Sequence, residues 1–341
     1  MRIAIDCRYL GGSGIGRVLK GILDNLDFNK NEYYLIGKEK EIKKYPAKLY
    51  LVNNTSAFST KGILKINKEV NQCDLFFSPN FIIPYNVKIR PITMLHDVVF
   101  LDMPKINSSY IEYKLKKHLM KRCMKKSSHI FTVSNFSLNR IVNYFPKYKN
   151  KVSYCYNGVD KIFKDFAKEE PLEKENHILY IGNIKENKGI KTLLEAYKLI
   201  KDKTNLSLYI VGDKGSLKTQ DKSLDEYFNM DGVKFTGRIS DEELLDLERK
   251  AKFLVQPSLY EGFGLPPLEA IYLKTKPIIS DIEVFKEVYG DLDVEFFKVK
   301  DYNDLAEKIL NTDYNVKADF DYINSKFDIK NFASVIEKEF K

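Results

Sequence analysis

Residues Pro257 to Leu273 read PSLYEGFGLPPLEAIYL, and the fold of the chain is legible from what this stretch needs on either side. The run before it, Phe253-Leu254-Val255-Gln256, predicts a buried strand, and the run Leu268 to Leu273 predicts a helix. Proline suits the first turn of a helix, where its missing N–H costs nothing. Pro266 and Pro267 therefore mark the helix start, and Gly262 to Gly264 form the turn that feeds it. Backbone N–H groups at such a start make an anion site, and glycine lets a ligand approach the main chain closely. Carboxylates at Glu261 and Glu269 flank that phosphate-sized hole. They would repel a bare phosphate but hold a sugar or ribose by its hydroxyls. Together the parts point to a nucleotide-sugar, with diphosphate on the helix start and hydroxyls on the two glutamates.

The chain has 341 residues, enough for two domains at roughly 100–200 residues each. Hydrophobic residues make up 44%, which supports sizeable cores and excludes wholesale disorder. Charge interrupts the first residues, Met1-Arg2-Ile3-Ala4-Ile5-Asp6, too early for a signal peptide. No apolar run approaches the roughly 20 residues of a membrane helix. Cys7, Cys73, Cys123 and Cys155 are scattered, which argues for a reducing compartment and against a disulfide frame or zinc site. The net charge of +9 is uneven. Residues 1–160 hold 27 Lys+Arg against 12 Asp+Glu, and residues 161–341 hold 29 against 35. A basic first half predicts an anionic partner on that side.

Along the chain, strand 2–6 leads through Arg8-Tyr9-Leu10-Gly11-Gly12-Ser13-Gly14-Ile15-Gly16-Arg17 into an apolar helix pattern at Val18, Ile22, Leu23 and Leu26. Strand, glycine loop and helix open a doubly wound α/β domain, whose ligands lie at the carboxyl end of the sheet. The glycine spacing fits a dinucleotide fingerprint poorly, so a tight turn and a ligand contact both stay open. Apolar runs at 33–36, 48–52, 73–77 and 91–95 predict parallel strands. The last ends in His96-Asp97, where a histidine would point into the crevice with Asp97 orienting it, although a lone histidine is more often structural. Residues 109–127 form a basic helix with Ile111, Leu115, Leu119 and Cys123 as its apolar face and Lys114, Lys117, Lys121 and Lys125 on another. Contact with an anionic membrane surface and a plain solvated lysine face are both open. Nucleic acid is excluded as a partner, because aromatic residues are not spread among the basic ones as stacking platforms.

Strand 129–133 meets an N-cap at Ser134, and strand 152–156 ends in Asn157-Gly158. A polar linker at about 160–176 precedes a second strand, turn and helix: 177–182, then Asn183 to Gly189, then helix 190–201. Lys188 stands at that helix start, where a cation could meet a diphosphate, though alone it reads as a surface residue. Strands at 206–211, 232–236 and 276–280, a capping box at Ser240 and Glu243, and helices at 301–310 and 326–341 complete the pattern.

The segment Glu261-Gly262-Phe263-Gly264-Leu265-Pro266-Pro267-Leu268-Glu269 resembles the signature of retaining glycosyltransferases of GT-B architecture, family four. Gly14 to Arg17, Val133 to Ser137, Asn157 to Asp160 and Lys188-Gly189 are similar to further motifs of that family. The resemblance implies two doubly wound Rossmann-like α/β domains facing across a cleft. Residues 1–160, with a crossing helix at 326–341, would bind the acceptor, and 161–325 the nucleotide-sugar. It implies that Glu261 grips the donor sugar and Glu269 the ribose. Lys188 and the N–H groups of Gly262, Phe263, Gly264 and Leu265 would hold the diphosphate. Gly14, Ile15 and Gly16 would close over it, His96 would lie near the sugar, and Arg238 and Ile239 would receive the base. Asn183 stands where many members carry arginine, so one expected cation is missing and Lys185 is its candidate substitute.

The implied reaction moves a hexose from a UDP- or GDP-sugar to a hydroxyl of a glycan or lipid-linked acceptor, in surface polysaccharide or glycolipid synthesis. No Asp-x-Asp pair stands at a strand end, which predicts no metal and no cofactor besides the donor. The location expected is cytoplasmic, with peripheral attachment to the inner membrane face open. A nucleotide-sugar epimerase of the same fold and a non-catalytic membrane-surface protein remain alternatives, whereas a phosphorylase would need a pyridoxal lysine motif that is absent.

Overall fold

The structure, a computed structural model, describes residues 1–12, 14–212, 227 and 229–340. Two compact units emerge: residues 1–101, 109–158 and 326 onward form one, and residues 102–108 with 159–325 form the other. Each contains a parallel sheet. Strands buried on both faces read as continuous apolar runs, which is why their sequences are so legible.

In the first unit, β1 (Arg2–Asp6), β2 (Glu32–Gly37), β3 (Leu49–Val52), β4 (Leu75–Ser78), β5 (Arg90–Met94), β6 (His129–Thr132) and β7 (Val152–Tyr154) lie in the order β3-β2-β1-β4-β5-β6-β7. The order reverses between β1 and β4, so loops from these neighbours diverge there and open a crevice at their carboxyl ends. Helix Gly14–Leu23 begins within the glycine loop and buries Val18, Leu19, Ile22 and Leu23. Gly16 packs so tightly that a Cβ there would lie 2.3 Å from the Tyr9 carbonyl oxygen. Ser13, in the same loop, lies outside the described residues.

The helix expected at 326–341 spans Ile329–Lys338, and a further helix, Phe320–Lys326, precedes it. The break falls at Phe327-Asp328, where the Asp328 carboxylate caps the second helix by accepting the Lys330 N–H at 3.1 Å. That second helix packs on Gly14–Leu23 through buried Phe332, Ala333 and Ile336. Glu337 accepts from Tyr33 Oη at 3.2 Å and from Lys30 Nζ at 3.1 Å.

The basic helix spans Tyr110–Lys126 with Ser109 as N-cap, but its apolar face differs from expectation. Leu119, Met120, Cys123 and Met124 are buried, whereas Ile111 is 79% and Leu115 46% exposed. The reason is geometric. A repeat of four residues turns about 40° further round the helix at each step, so a series begun at Ile111 drifts off its face by Cys123.

In the second unit, β8 (Glu175–Ile181), β9 (Ser207–Val211), β10 (Val233–Gly237), β11 (Ala251–Gln256), β12 (Lys276–Ser280) and β13 (Glu295–Phe297) lie in the order β10-β9-β8-β11-β12-β13, all parallel. Helices Ile190–Ile200 and Tyr302–Asn311 cover one face through Leu193, Leu194, Tyr197, Leu305 and Ile309. The opposite face holds Leu179, Leu254 and Ala270. Ser240 and Glu243 form the expected capping box at helix Asp241–Lys250. Here the strand order reverses between β8 and β11, and the loops that follow these two strands carry Lys188 and Glu261.

Candidate active site

The loop after β8 runs through a short turn, Glu186–Lys188, to Gly189, and the loop after β11 runs from Pro257 to Gly264. Their main chains are locked together. The Asn187 carbonyl accepts the N–H of Leu259 at 2.8 Å and of Tyr260 at 3.2 Å, and its side-chain amide donates to the Tyr260 carbonyl at 3.3 Å. Gly189 has φ +62, a left-handed conformation that favours glycine, and a Cβ there would meet the Pro257 carbonyl oxygen at 1.9 Å. Only glycine lets the two loops come this close.

That contact brings Lys188 onto Glu261. The Lys188 ammonium donates to Glu261 Oε1 at 2.6 Å, and the Ser258 hydroxyl donates to the same oxygen at 2.7 Å. Ser258 is itself held, its carbonyl accepting the Ser280 hydroxyl from the end of β12 at 2.5 Å. Glu261 is 9% exposed and Glu269 4%, so neither is a solvated surface glutamate. Behind Glu261 lies Tyr180, fully buried, whose hydroxyl donates to the Asn183 carbonyl at 3.2 Å. Burial, and then the Glu261 charge, push that phenol above its ordinary value.

Helix Leu265–Tyr272 starts at Gly264, whose φ of +85 is left-handed and whose Cβ position is 2.5 Å from the Phe285 ring. Glu269 projects from its second turn. Pro266 and Pro267 carry no N–H, so this helix start has few backbone donors of its own. The Phe263 side chain is buried beside Tyr289 at 6.3 Å between ring centroids.

Asn183 and Lys185 are exposed on the loop after β8. Arg238 is exposed after β10, and Ile239 packs beside Leu179 and Leu254. Parallel strands put all these loops at one edge of the second sheet. A charged hollow of about 370 Å³, lined by Lys276, Asp293, Glu295 and Lys308 among others, lies at the starts of β12 and β13 and hence at the other edge. Among the described residues, no group of three or more His, Cys, Asp or Glu is arranged to hold a metal ion.

In the first unit, the His96 ring follows β5 and its Nε2 donates to the Pro79 carbonyl, beyond β4, at 2.9 Å. Burial lowers its pKa, partly offset by that hydrogen bond. The expected orienting partner, Asp97, instead accepts the Val99 N–H at 2.9 Å, so the ring is steered by a backbone carbonyl. Gly14, Ile15 and Gly16 form the first turn of their helix after β1. Under that loop lies a buried pair that composition alone did not reveal. Arg8 makes a two-pronged contact with Asp6 at 2.8 and 2.7 Å and donates to the Gly62 carbonyl at 3.2 Å. The signal was the alternation Asp6-x-Arg8 at a strand end. Ser258, Asn187 and Tyr289 were also missed, since their partners are far away in sequence.

Two doubly wound units, with a lysine–glutamate pair at the strand-order reversal of the second, define an α/β protein whose ligand crevices lie at the carboxyl ends of its strands. Residues 161–314 match the family described as glycosyl transferases group 1. The chain is 34% identical over 180 residues to the O-antigen chain mannosyltransferase RfbU of Salmonella typhimurium, covering 53% of this chain and 50% of that protein. It is 31% identical over 236 residues to the O-antigen chain mannosyltransferase B of Escherichia coli, covering 64% and 59%. It thus spans little more than half the length of these curated relatives. HepE of Anabaena, solved in complex with UDP and glucose, superposes with a TM-score of 0.73 at 16% identity, over 100% of this chain and 99% of that one. Sucrose-phosphate synthase of Thermosynechococcus elongatus does so at 0.74 and 14% identity, over 99% and 98%. The fold is the GT-B architecture of two Rossmann-like domains. The match to the glycosyl transferases group 1 family thus lies in the second unit, over residues 161–314.

Proposed function

We propose that the protein is a retaining glycosyltransferase that moves a hexosyl unit from a UDP- or GDP-sugar to a hydroxyl of a glycan or lipid-linked acceptor. The observation that carries this reading is the Lys188–Glu261 pair at 2.6 Å beside the Gly262–Leu265 turn. It supplies a cation and backbone donors for a leaving diphosphate, and a carboxylate for carbohydrate hydroxyls and for the positive charge that develops at the anomeric carbon. Glu269 serves the ribose. Diphosphate neutralisation falls to Lys188 and the turn, with no essential metal. The leaving phosphate oxygen takes the acceptor proton. In the first unit, Gly14 to Gly16 and His96 are assigned to the donor, and Arg238 and Ile239 in the second to the base. The names of the relatives favour mannose as the hexose and a surface polysaccharide as the product.

The same reading places helix Tyr110–Lys126 against an anionic membrane. Tyr110, Ile111 and Leu115 are exposed at its amino-terminal half, among Lys114, Lys117 and Lys121. No described helix is long and apolar enough to cross a membrane.

The deciding experiment is a thermal-shift screen against UDP- and GDP-sugars, followed by NMR of the products. Ligand at a hundred times its dissociation constant adds about 2.7 kcal/mol to stability. A donor-dependent shift, and an acceptor glycoside with the donor's anomeric configuration, are expected. Free epimerised sugar would identify an epimerase, and no shift with any donor would remove the reading.

A further inference from the structure

Helix Glu283–Tyr289 belongs to none of the motifs read from the sequence, yet its last residue touches the site. Tyr289 is completely buried. Its hydroxyl donates to the Gly264 carbonyl, and the Leu268 N–H faces the Tyr289 hydroxyl oxygen. Those two groups are the N-cap carbonyl and the fourth N–H of helix Leu265–Tyr272, which in a regular helix bond to each other. Elsewhere in this protein they do: Tyr113 to Ser109 at 3.1 Å, Leu138 to Ser134 and Leu244 to Ser240 at 3.0 Å. At Gly264 the left-handed backbone turns the carbonyl aside, and the Tyr289 hydroxyl receives it.

The rest of the helix braces the same turn. The Phe285 ring lies against Gly264 and meets Tyr289 edge-on at 5.7 Å. Burial first, then the charges of Glu269 and Glu261, raise the Tyr289 pKa well above its ordinary value, so the hydroxyl keeps its proton as a donor. Pro266 and Pro267 have no N–H and Leu268 faces Tyr289. Of the first four helix positions only Leu265 can offer its N–H to an anion.

We propose that Tyr289 is a positioning residue whose hydroxyl fixes the Gly264 peptide, so that the N–H groups of the Gly262–Leu265 turn point at the donor diphosphate. This role rests on the nucleotide-sugar reading above. Tyr289→Phe keeps the ring against Phe263 and Phe285 and removes the hydroxyl alone. By hydrogen-exchange mass spectrometry, peptides covering 257–273 should exchange faster in the variant while peptides of the first unit do not change. By calorimetry, the tighter-binding of UDP and GDP should weaken about tenfold, the scale of one lost hydrogen bond, while the corresponding nucleoside binds as in wild type. General structural damage would weaken nucleoside and diphosphate alike, and that outcome overturns the role, as does unchanged exchange in 257–273. Wild-type diphosphate affinity in Tyr289→Phe overturns this role alone. A wild-type protein that binds neither UDP nor GDP overturns the donor reading and this role together.

Discussion

The Lys188 ammonium and the Glu261 carboxylate lie 2.6 Å apart although 73 residues separate them in the chain. The site thus neutralises itself before any substrate arrives, and a bound diphosphate would compete with Glu261 for the same lysine. Lys188→Ala and Glu261→Gln should each lower transfer at least about a hundredfold. The double variant should lose little more than either, because the two groups act on one another. Lys188→Ala should also cost about 2 kcal/mol of stability by leaving a largely buried carboxylate with Ser258 as its remaining donor, and adding Glu261→Gln should recover most of it. Activity in steady-state assays and denaturant midpoints read the two effects separately. Wild-type turnover in either single variant would remove that residue from the site.

The glycine loop after β1 offers a test of packing against ligand contact. A Cβ at Gly14 would meet nothing within 4 Å, whereas one at Gly16 would strike the Tyr9 carbonyl oxygen at 2.3 Å. Gly16→Ala should therefore lower the melting temperature of the protein, and Gly14→Ala should leave it unchanged or slightly raised, since alanine favours a helix by up to about 1 kcal/mol. If the loop contacts the donor, Gly14→Ala raises the donor KM with stability intact. An unaltered KM in that variant would leave the loop with a packing role alone.

Membrane docking is checked at the exposed end of the basic helix. Ile111→Asp with Leu115→Asp alters two side chains that are 79% and 46% exposed, so the fold should tolerate both. Co-sedimentation with vesicles containing anionic phospholipid should fall at least tenfold in affinity, and binding by the unaltered protein should weaken with salt as surface charges are screened. Equal binding to neutral and anionic vesicles would contradict an electrostatic dock.

Three histidines predict acid sensitivity. Burial is the leading cause that lowers the pKa of His96, His129 and His177, offset in part by the Pro79 carbonyl, the Glu339 carboxylate and the Leu247 carbonyl respectively. Each binds a proton more readily unfolded than folded. Stability is therefore full above the unfolded value of about 6.5 and falls as pH drops below it toward the lowered folded values. The melting temperature should decline between about pH 7 and 5, and His177→Asn should flatten part of that decline. A flat profile over the same range would show that these rings titrate equally in both states.

Much of the fold was legible because its physics is local. Strands buried on both faces, such as Leu75–Ser78 and Lys276–Ser280, announce themselves as apolar runs, and Ser109, Ser134 and Ser240 cap helices through bonds three residues away. Glu295–Phe297 escaped notice because three residues beside acidic neighbours carry no periodic signal. The drifting apolar face of helix Tyr110–Lys126 escaped for a related reason, since a repeat of four is not the period of the helix. At the site, Glu261, the glycine turn and Glu269 could be singled out because they fall within nine consecutive residues, while their supports could not.

What the amino-acid order determined by itself was the kind of element at each point and the chemistry placed in the loops: glycine, carboxylate, lysine and proline at strand ends. Only tertiary structure decided which strands became neighbours, and so that the loops after β8 and β11 meet. Local periodicity holds no term for a partner dozens of residues away. The contact of Lys188 with Glu261, and of Tyr289 with Gly264, exists because sheet order and helix packing bring together groups that no short window of sequence contains.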